Sequence, residues 1–161
     1  VPDFTYGFNV YLEYKNFDFT AFFQGVQGVD IISDLKKETD IWAGLNIGNL
    51  NKGHRLLNAW CVDNPSSNIP AVTLSDNNNE KRVSTYWVEN GSYLKLRTIQ
   101  LGYNLPQNIV SKLSMQRLRM YVSAQNLFTI KSSSFTGVDP ENPNYGYPIP
   151  LNITFGLNVT F

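Results

Sequence analysis

The stretch Leu151-Asn-Ile-Thr-Phe-Gly-Leu-Asn-Val-Thr-Phe161 alternates without interruption. Leu151, Ile153, Phe155, Leu157, Val159 and Phe161 fall on one face, and Asn152, Thr154, Gly156, Asn158 and Thr160 on the other. A repeat of two is that of a β-strand. At about 3.3 Å per residue the stretch extends about 36 Å, and a tilt of roughly 40° brings its apolar side near the height of a bilayer's hydrocarbon core. Strands of soluble sandwiches usually have about 5 or 6 residues, so this length points to a membrane barrel.

The same pattern recurs upstream. In residues 5–14, Tyr6, Phe8, Val10, Leu12 and Tyr14 oppose Thr5, Gly7, Asn9, Tyr11 and Glu13. Lys15-Asn16 is a two-residue link, after which 17–26 resumes the alternation with Phe17, Phe19, Ala21 and Phe23 on the apolar side, predicting a tight hairpin. Residues 92–104 form a third strand with Ile99, Leu101 and Tyr103 on one face. Strict alternation puts Lys95 and Arg97 on that same face. A lipid-facing cation at midplane costs about 2 to 4 kcal/mol, so both are expected beyond the bilayer or after a bulge. Leu105-Pro106 ends that strand, and 116–129 is the fourth, with Leu118, Met120, Val122 and Ala124 opposite Arg117, Arg119, Tyr121, Ser123 and Gln125. The terminal strand covers 150–161.

The intervening stretches, about 27–91 and 130–149, are rich in Gly, Asn, Asp, Ser and Pro and read as long loops, the first with room for a short helix between Ile31 and Asn46. Links therefore run short, long, short, long. With antiparallel strands both long loops leave one side, the extracellular side of a transmembrane barrel. The fold class expected is all-β: about five strands of a large antiparallel transmembrane barrel. Five strands cannot close, and open edges in lipid leave unpaired backbone groups, so the chain is expected to be the C-terminal part of a longer barrel. The opening Val1-Pro2-Asp3, without methionine or leader, is expected to follow from truncation.

Composition fits a membrane-facing β protein. Aromatic residues make up 14% and charged residues 16%, with 13 basic and 13 acidic side chains, so no global field selects nucleic acid. Lys36-Lys37, Lys81-Arg82 and Arg117/Arg119 are isolated basic pairs without the stripe that phosphate binding requires. Cys61 is the single cysteine and excludes an intrachain disulfide.

Three blocks carry a resemblance. Trp87-Val-Glu-Asn-Gly-Ser-Tyr-Leu-Lys-Leu-Arg-Thr-Ile-Gln-Leu-Gly-Tyr-Asn-Leu-Pro106 resembles a signature of the SusC/RagA-type TonB-dependent transporters of Bacteroidota outer membranes. Leu118-Arg-Met-Tyr-Val-Ser-Ala-Gln-Asn-Leu-Phe-Thr129 and Phe22-Phe-Gln-Gly-Val-Gln-Gly28 agree with the same family. Gly137-Val-Asp-Pro-Glu141 is similar to its Gly-Tyr-Asp-Pro-Glu, with Val138 where tyrosine is commoner. The resemblance implies a barrel of about 22 strands around an N-terminal plug that lies outside this chain. It also implies a SusD-like lipoprotein over the outer loops, pairs of which can dimerise, and TonB-driven import of oligosaccharides or peptides. Phe161, with Phe155, Leu157 and Val159, resembles the signal read by the outer-membrane insertion machinery.

Candidate substrate contacts are the aromatic and amide groups Trp42, Trp60, Trp87, Asn126, Tyr145 and Tyr147. Sugar faces stack on rings, and sugar hydroxyls bond amides. Glu89 and Asn90 are expected to fix the turn that leads into the third strand. No enzyme and no cofactor are expected: His54 has no nucleophile or metal-ligand spacing beside it, and Asp139 with Glu141 only imitates a glycosidase pair. Asp76-Asn-Asn-Asn-Glu80 offers oxygen ligands but lacks the spacing of a calcium loop. The Asn-X-Ser/Thr triplets at Asn90, Asn152 and Asn158 are coincidental in a bacterial barrel. The alternative is a soluble, secreted, carbohydrate-binding β-sandwich, whose apolar faces would form a core.

Overall fold

In a computed structural model the chain is described at residues 1–40, 52–73, 79, 82–143 and 147–161. It divides into two compact units. One comprises Val1–Val29, Gly91–Ser132 and Ile149–Phe161, the other Asp30–Asn90 and Ser133–Pro148.

The first unit is one antiparallel sheet. Its strands are β1 (Phe4–Tyr14), β2 (Phe17–Gln27), β5 (Tyr93–Asn104), β6 (Arg117–Lys131) and β7 (Asn152–Thr160), hydrogen-bonded in that order. The second unit contains the two-stranded sheet of β3 (Asp30–Ile32) and β4 (Val88–Asn90). The first hairpin closes at the Tyr14/Phe17 pair, where Lys15 takes a φ of 53° to let the chain reverse in two residues. The β5–β6 link folds into a short helix α2 (Gln107–Val110) and one 3-10 turn (Ser111–Leu113), ending at Ser114 with φ 56°. Val110 in that link is fully buried. Both long connections, β2 to β5 and β6 to β7, leave the opposite end of the sheet.

The register aligns the side chains in rows. Val10, Ala21, Ile99, Ala124 and Ile153 form one row across all five strands, and Leu12, Phe19, Leu101, Val122 and Phe155 the next on the same face. Tyr14, Phe17, Tyr103, Met120 and Leu157 end that face on an aromatic rim. Around buried Ala21 the large side chains of these rows are half-buried to open, with Phe155 80% exposed, Leu157 66% and Leu12 61%. A soluble sandwich would bury this face under a second sheet, so the sandwich alternative does not hold. A contiguous apolar face spanning five strands is the kind of patch that soluble monomers rarely expose. Among the described residues, no helix is long and apolar enough to cross a membrane.

A bulge, one of the two placements expected for the β5 cations, is present. Phe22 pairs with Thr98, but Phe23 pairs with Leu96, leaving Arg97 as an extra residue. On the other side Leu96 pairs with Phe128 and Thr98 with Gln125, and the unpaired Asn126 takes φ 57°. The irregularity moves Leu94 and Leu96 onto the apolar face and Lys95 onto the polar one, opposite Gln24. The Arg97 guanidinium donates to Gln24 Oε1 at 2.8 Å. Strict alternation fails here because a bulge inserts one residue and reverses the faces beyond it.

Arginine at Ile99 would therefore meet lipid, whereas arginine at the adjacent Gln100 would meet the polar side. Ile99→Arg should destabilise the inserted protein by about 2 to 4 kcal/mol and lower its outer-membrane level, with Gln100→Arg close to wild type. Equal levels of the two variants on membrane immunoblots would count against the assignment of faces.

Candidate functional site

Opposite the apolar face lies a wall of polar groups. Tyr11, Thr20, Gln100, Ser123 and Thr154 form one row, and Glu13, Asp18, Gly102, Tyr121 and Gly156 the next. Near the short-turn end a charged clasp crosses the sheet. The Arg119 guanidinium on β6 donates through Nε to Asp18 Oδ1 at 3.0 Å, and through Nη2 to Oδ2, on β2. The intervening β5 residue is Gly102, where a Cβ would stand 2.5 Å from both Arg119 Nη2 and Asp18 Oδ1. Glycine at this position lets a two-pronged ion pair bridge two strands over a third. Arg119 also faces the Tyr121 ring at 5.3 Å, and that ring lies across Gly156 on β7. Arg117 donates to Asn104 Oδ1 at 2.9 Å, and the Tyr11 hydroxyl donates to Glu13 Oε2 at 3.0 Å.

The second unit is built around Trp87, which is 1% exposed and donates its indole N–H to the Arg82 carbonyl at 2.8 Å. Tyr86 packs edge-on against it, ring centres 5.0 Å apart. Helix α1 (Asp34–Asp40) starts at buried Ser33, whose Oγ accepts the Lys36 N–H at 3.2 Å as an N-cap. Lys36 lays its ammonium on the Tyr86 ring at 4.1 Å and donates to the Tyr86 carbonyl at 2.5 Å. At the far end of α1, Asp40 accepts the Tyr86 hydroxyl at 2.9 Å and pairs with Arg55 at 3.4 Å. Glu89, 5% exposed, accepts the backbone N–H of Thr136 at 2.9 Å and its hydroxyl at 2.9 Å, with Lys36 Nζ 3.7 Å away.

Burial and the hydrogen bond to Asp40 push the Tyr86 phenol above its ordinary value. Burial pulls the Lys36 ammonium down, against the opposing pull of the Glu89 carboxylate.

The described candidate contacts occupy different environments. Trp87 is enclosed and its indole N–H is used by the Arg82 carbonyl, so it packs the second unit. Trp60 is 45% exposed and Tyr147 96% exposed, so both offer accessible rings. Asn126 sits in the β6 irregularity, where its amide donates to the Pro150 carbonyl at 3.3 Å. Trp42, Tyr145 and most of the 76–80 stretch lie outside the described residues. Glu89 is corrected: it sits in β4 and its carboxylate grips Thr136 rather than fixing a turn. Asp139 Oδ1 accepts the Glu141 N–H at 3.0 Å, which makes that carboxylate a turn-former. Sequence reading missed the clasp and the Glu89 grip, although a glycine inside a strand, as at Gly102, marks a close approach of other groups.

No family model matches the chain. It is 36% identical over 99% of its length to the TonB-dependent receptor P3 of Formosa agariphila, of which it covers 16%. It superposes over its whole length, at a TM-score of 0.81 and 28% identity, on a structure of the RagAB peptide importer, covering 17% of that chain. Over nearly its whole length the chain is a homologue of a segment of TonB-dependent receptors. The receptor SusC of Bacteroides thetaiotaomicron is 27% identical over 93% of the chain, which spans 14% of it. The sheet is thus a sector of an outer-membrane barrel, its apolar face toward lipid.

The Tyr86 environment makes a pH prediction. An unfolded tyrosine ionises near its ordinary value of 10.0, while folded Tyr86 stays protonated. Stability held below that pH is therefore lost as pH rises through the folded value. Tyr86→Phe should cost about 1 kcal/mol at neutral pH, through the lost hydrogen bond to Asp40. The deficit should shrink above about pH 10. Lys36 titrates in both proteins and cancels in the difference. Denaturant titrations of tryptophan emission at neutral and alkaline pH check this, and a constant difference would refute it.

Proposed function

We propose that this chain forms one sector of the wall of a TonB-dependent importer that takes up oligosaccharides or peptides together with a SusD-like surface lipoprotein. The observation that carries the reading is the sheet with a bare apolar face, a hydrogen-bonding opposite face and two long connections at one end, in a chain 36% identical to a TonB-dependent receptor. The polar face lines the interior, where hydroxyl and amide groups keep a passage wet. The long connections carry accessible rings, Trp60 and Tyr147, that suit stacking on a sugar or on an apolar peptide side chain. The name of the RagAB peptide importer makes a peptide cargo as admissible as a glycan. Energy coupling belongs to a plug and a TonB-contacting segment elsewhere in the protein. Phe155, Leu157, Val159 and Phe161, all on the lipid side or at its edge, serve recognition by the insertion machinery.

Uptake by the full-length receptor should stop when TonB is deleted, which separates an importer from a passive pore that would go on conducting. Trp60→Ala with Tyr147→Ala should weaken cargo binding about tenfold, in line with one or two lost stacking contacts. Membrane levels should stay unchanged. Phe161→Ala should lower the amount inserted, and an unchanged outer-membrane level would remove that residue from the assembly signal.

A further inference from the structure

Within the second unit, Glu89 belongs to the β2–β5 connection and Thr136 to the β6–β7 connection. The two segments are separated by an entire hairpin of the sheet in sequence, yet one carboxylate joins them. Glu89 accepts both the backbone N–H and the hydroxyl of Thr136. The Thr136 hydroxyl lies 3.3 Å from Ser33 Oγ, which caps α1, and Lys36 supplies the positive charge. Ser33 also donates its backbone N–H to the Trp87 carbonyl at 2.9 Å, tying the cap to the tryptophan core. Ser33, Lys36, Glu89 and Asp139 are all buried, and Phe135, beside Thr136, is 4% exposed.

We propose that segments 33–40, 85–90 and 134–142 of the two long connections unfold and refold as one cooperative unit, latched by the Glu89 carboxylate on Thr136. Among the described residues, the hydrophobic cluster of these connections consists of Trp87 with Tyr86 packed beside it, so the polar latch contributes a large share of what holds the segments together. A buried carboxylate that loses its donors, or donors that lose their carboxylate, become unsatisfied in a water-poor setting. Opening one connection therefore removes the reason for the other to stay closed. A contact made to either segment is felt by both. This coupling stands independently of the cargo and of the importer reading.

The test is amide exchange on the full-length receptor in detergent, read by mass spectrometry. In the wild type, residues 34–40, 85–90 and 134–142 should exchange at a common rate, as one cooperative unit does. Thr136→Val keeps the size of the side chain and its backbone N–H but loses the hydroxyl. It should accelerate exchange in 34–40 and 85–90, on the other connection, by roughly tenfold. Glu89→Ala should accelerate all three segments by roughly 10- to 100-fold while β5 and β6 keep their protection. Glu89→Gln, which retains an acceptor, should fall between the two. Faster exchange confined to 134–142 in Thr136→Val, or different rates for the three segments in the wild type, would overturn the proposal.

Discussion

In hydrocarbon the backbone cannot turn to water for its hydrogen bonds, and the five-stranded sheet is arranged around that restriction. Each strand of the sheet satisfies its main chain through its neighbours, which holds the five strands in one hydrogen-bonded ladder interrupted only at the β5 bulge. Once the ladder is fixed, alternate side chains have no choice of side, so the apolar residues collect on one face and the hydroxyls, amides and charges on the other. Exposed phenylalanine and leucine, a liability in a soluble protein, are here the solvated surface.

Cations test this arrangement most sharply, because one misplaced charge costs more than several leucines contribute. β5 brings Lys95 and Arg97 close to a lipid-facing run, and the bulge at Arg97 turns them away. The device uses three strands: an extra residue in β5, a left-handed residue at Asn126 in β6, and Gln24 in β2 as the receiving acceptor. Farther down the same face, Asp18 and Arg119 neutralise each other above Gly102.

The alternation of Leu151 to Phe161, the Lys15-Asn16 reversal and the separation of short from long links were legible because each depends on neighbours in sequence. The cost of a lipid-facing cation called for a bulge as one way out for Lys95 and Arg97, but its position was not legible, since a one-residue irregularity depends on how two other strands line up beside it. Trp87 looked like a surface ring because no local pattern says that Arg82 and Tyr86 will enclose it. Glu89 stands next to a turn-rich stretch, yet its partner Thr136 is 47 residues away. Of the candidate contacts, Trp60 and Tyr147 kept their accessibility, while Asn126 proved to be a backbone-shaping residue.

The Asp18–Arg119 clasp has a consequence for the order of assembly. It closes only when β2, β5 and β6 are aligned so that Gly102, the one β5 residue without a side chain, lies beneath it. A slip of β5 by a single position would bring Leu101 or Tyr103 under the ion pair and reverse every face of that strand at the same time. The correct alignment is thus the one in which charge neutralisation and lipid exposure are satisfied together. The clasp serves the inserting sheet as a checksum, in which one electrostatic contact reports that three strands have been read in frame.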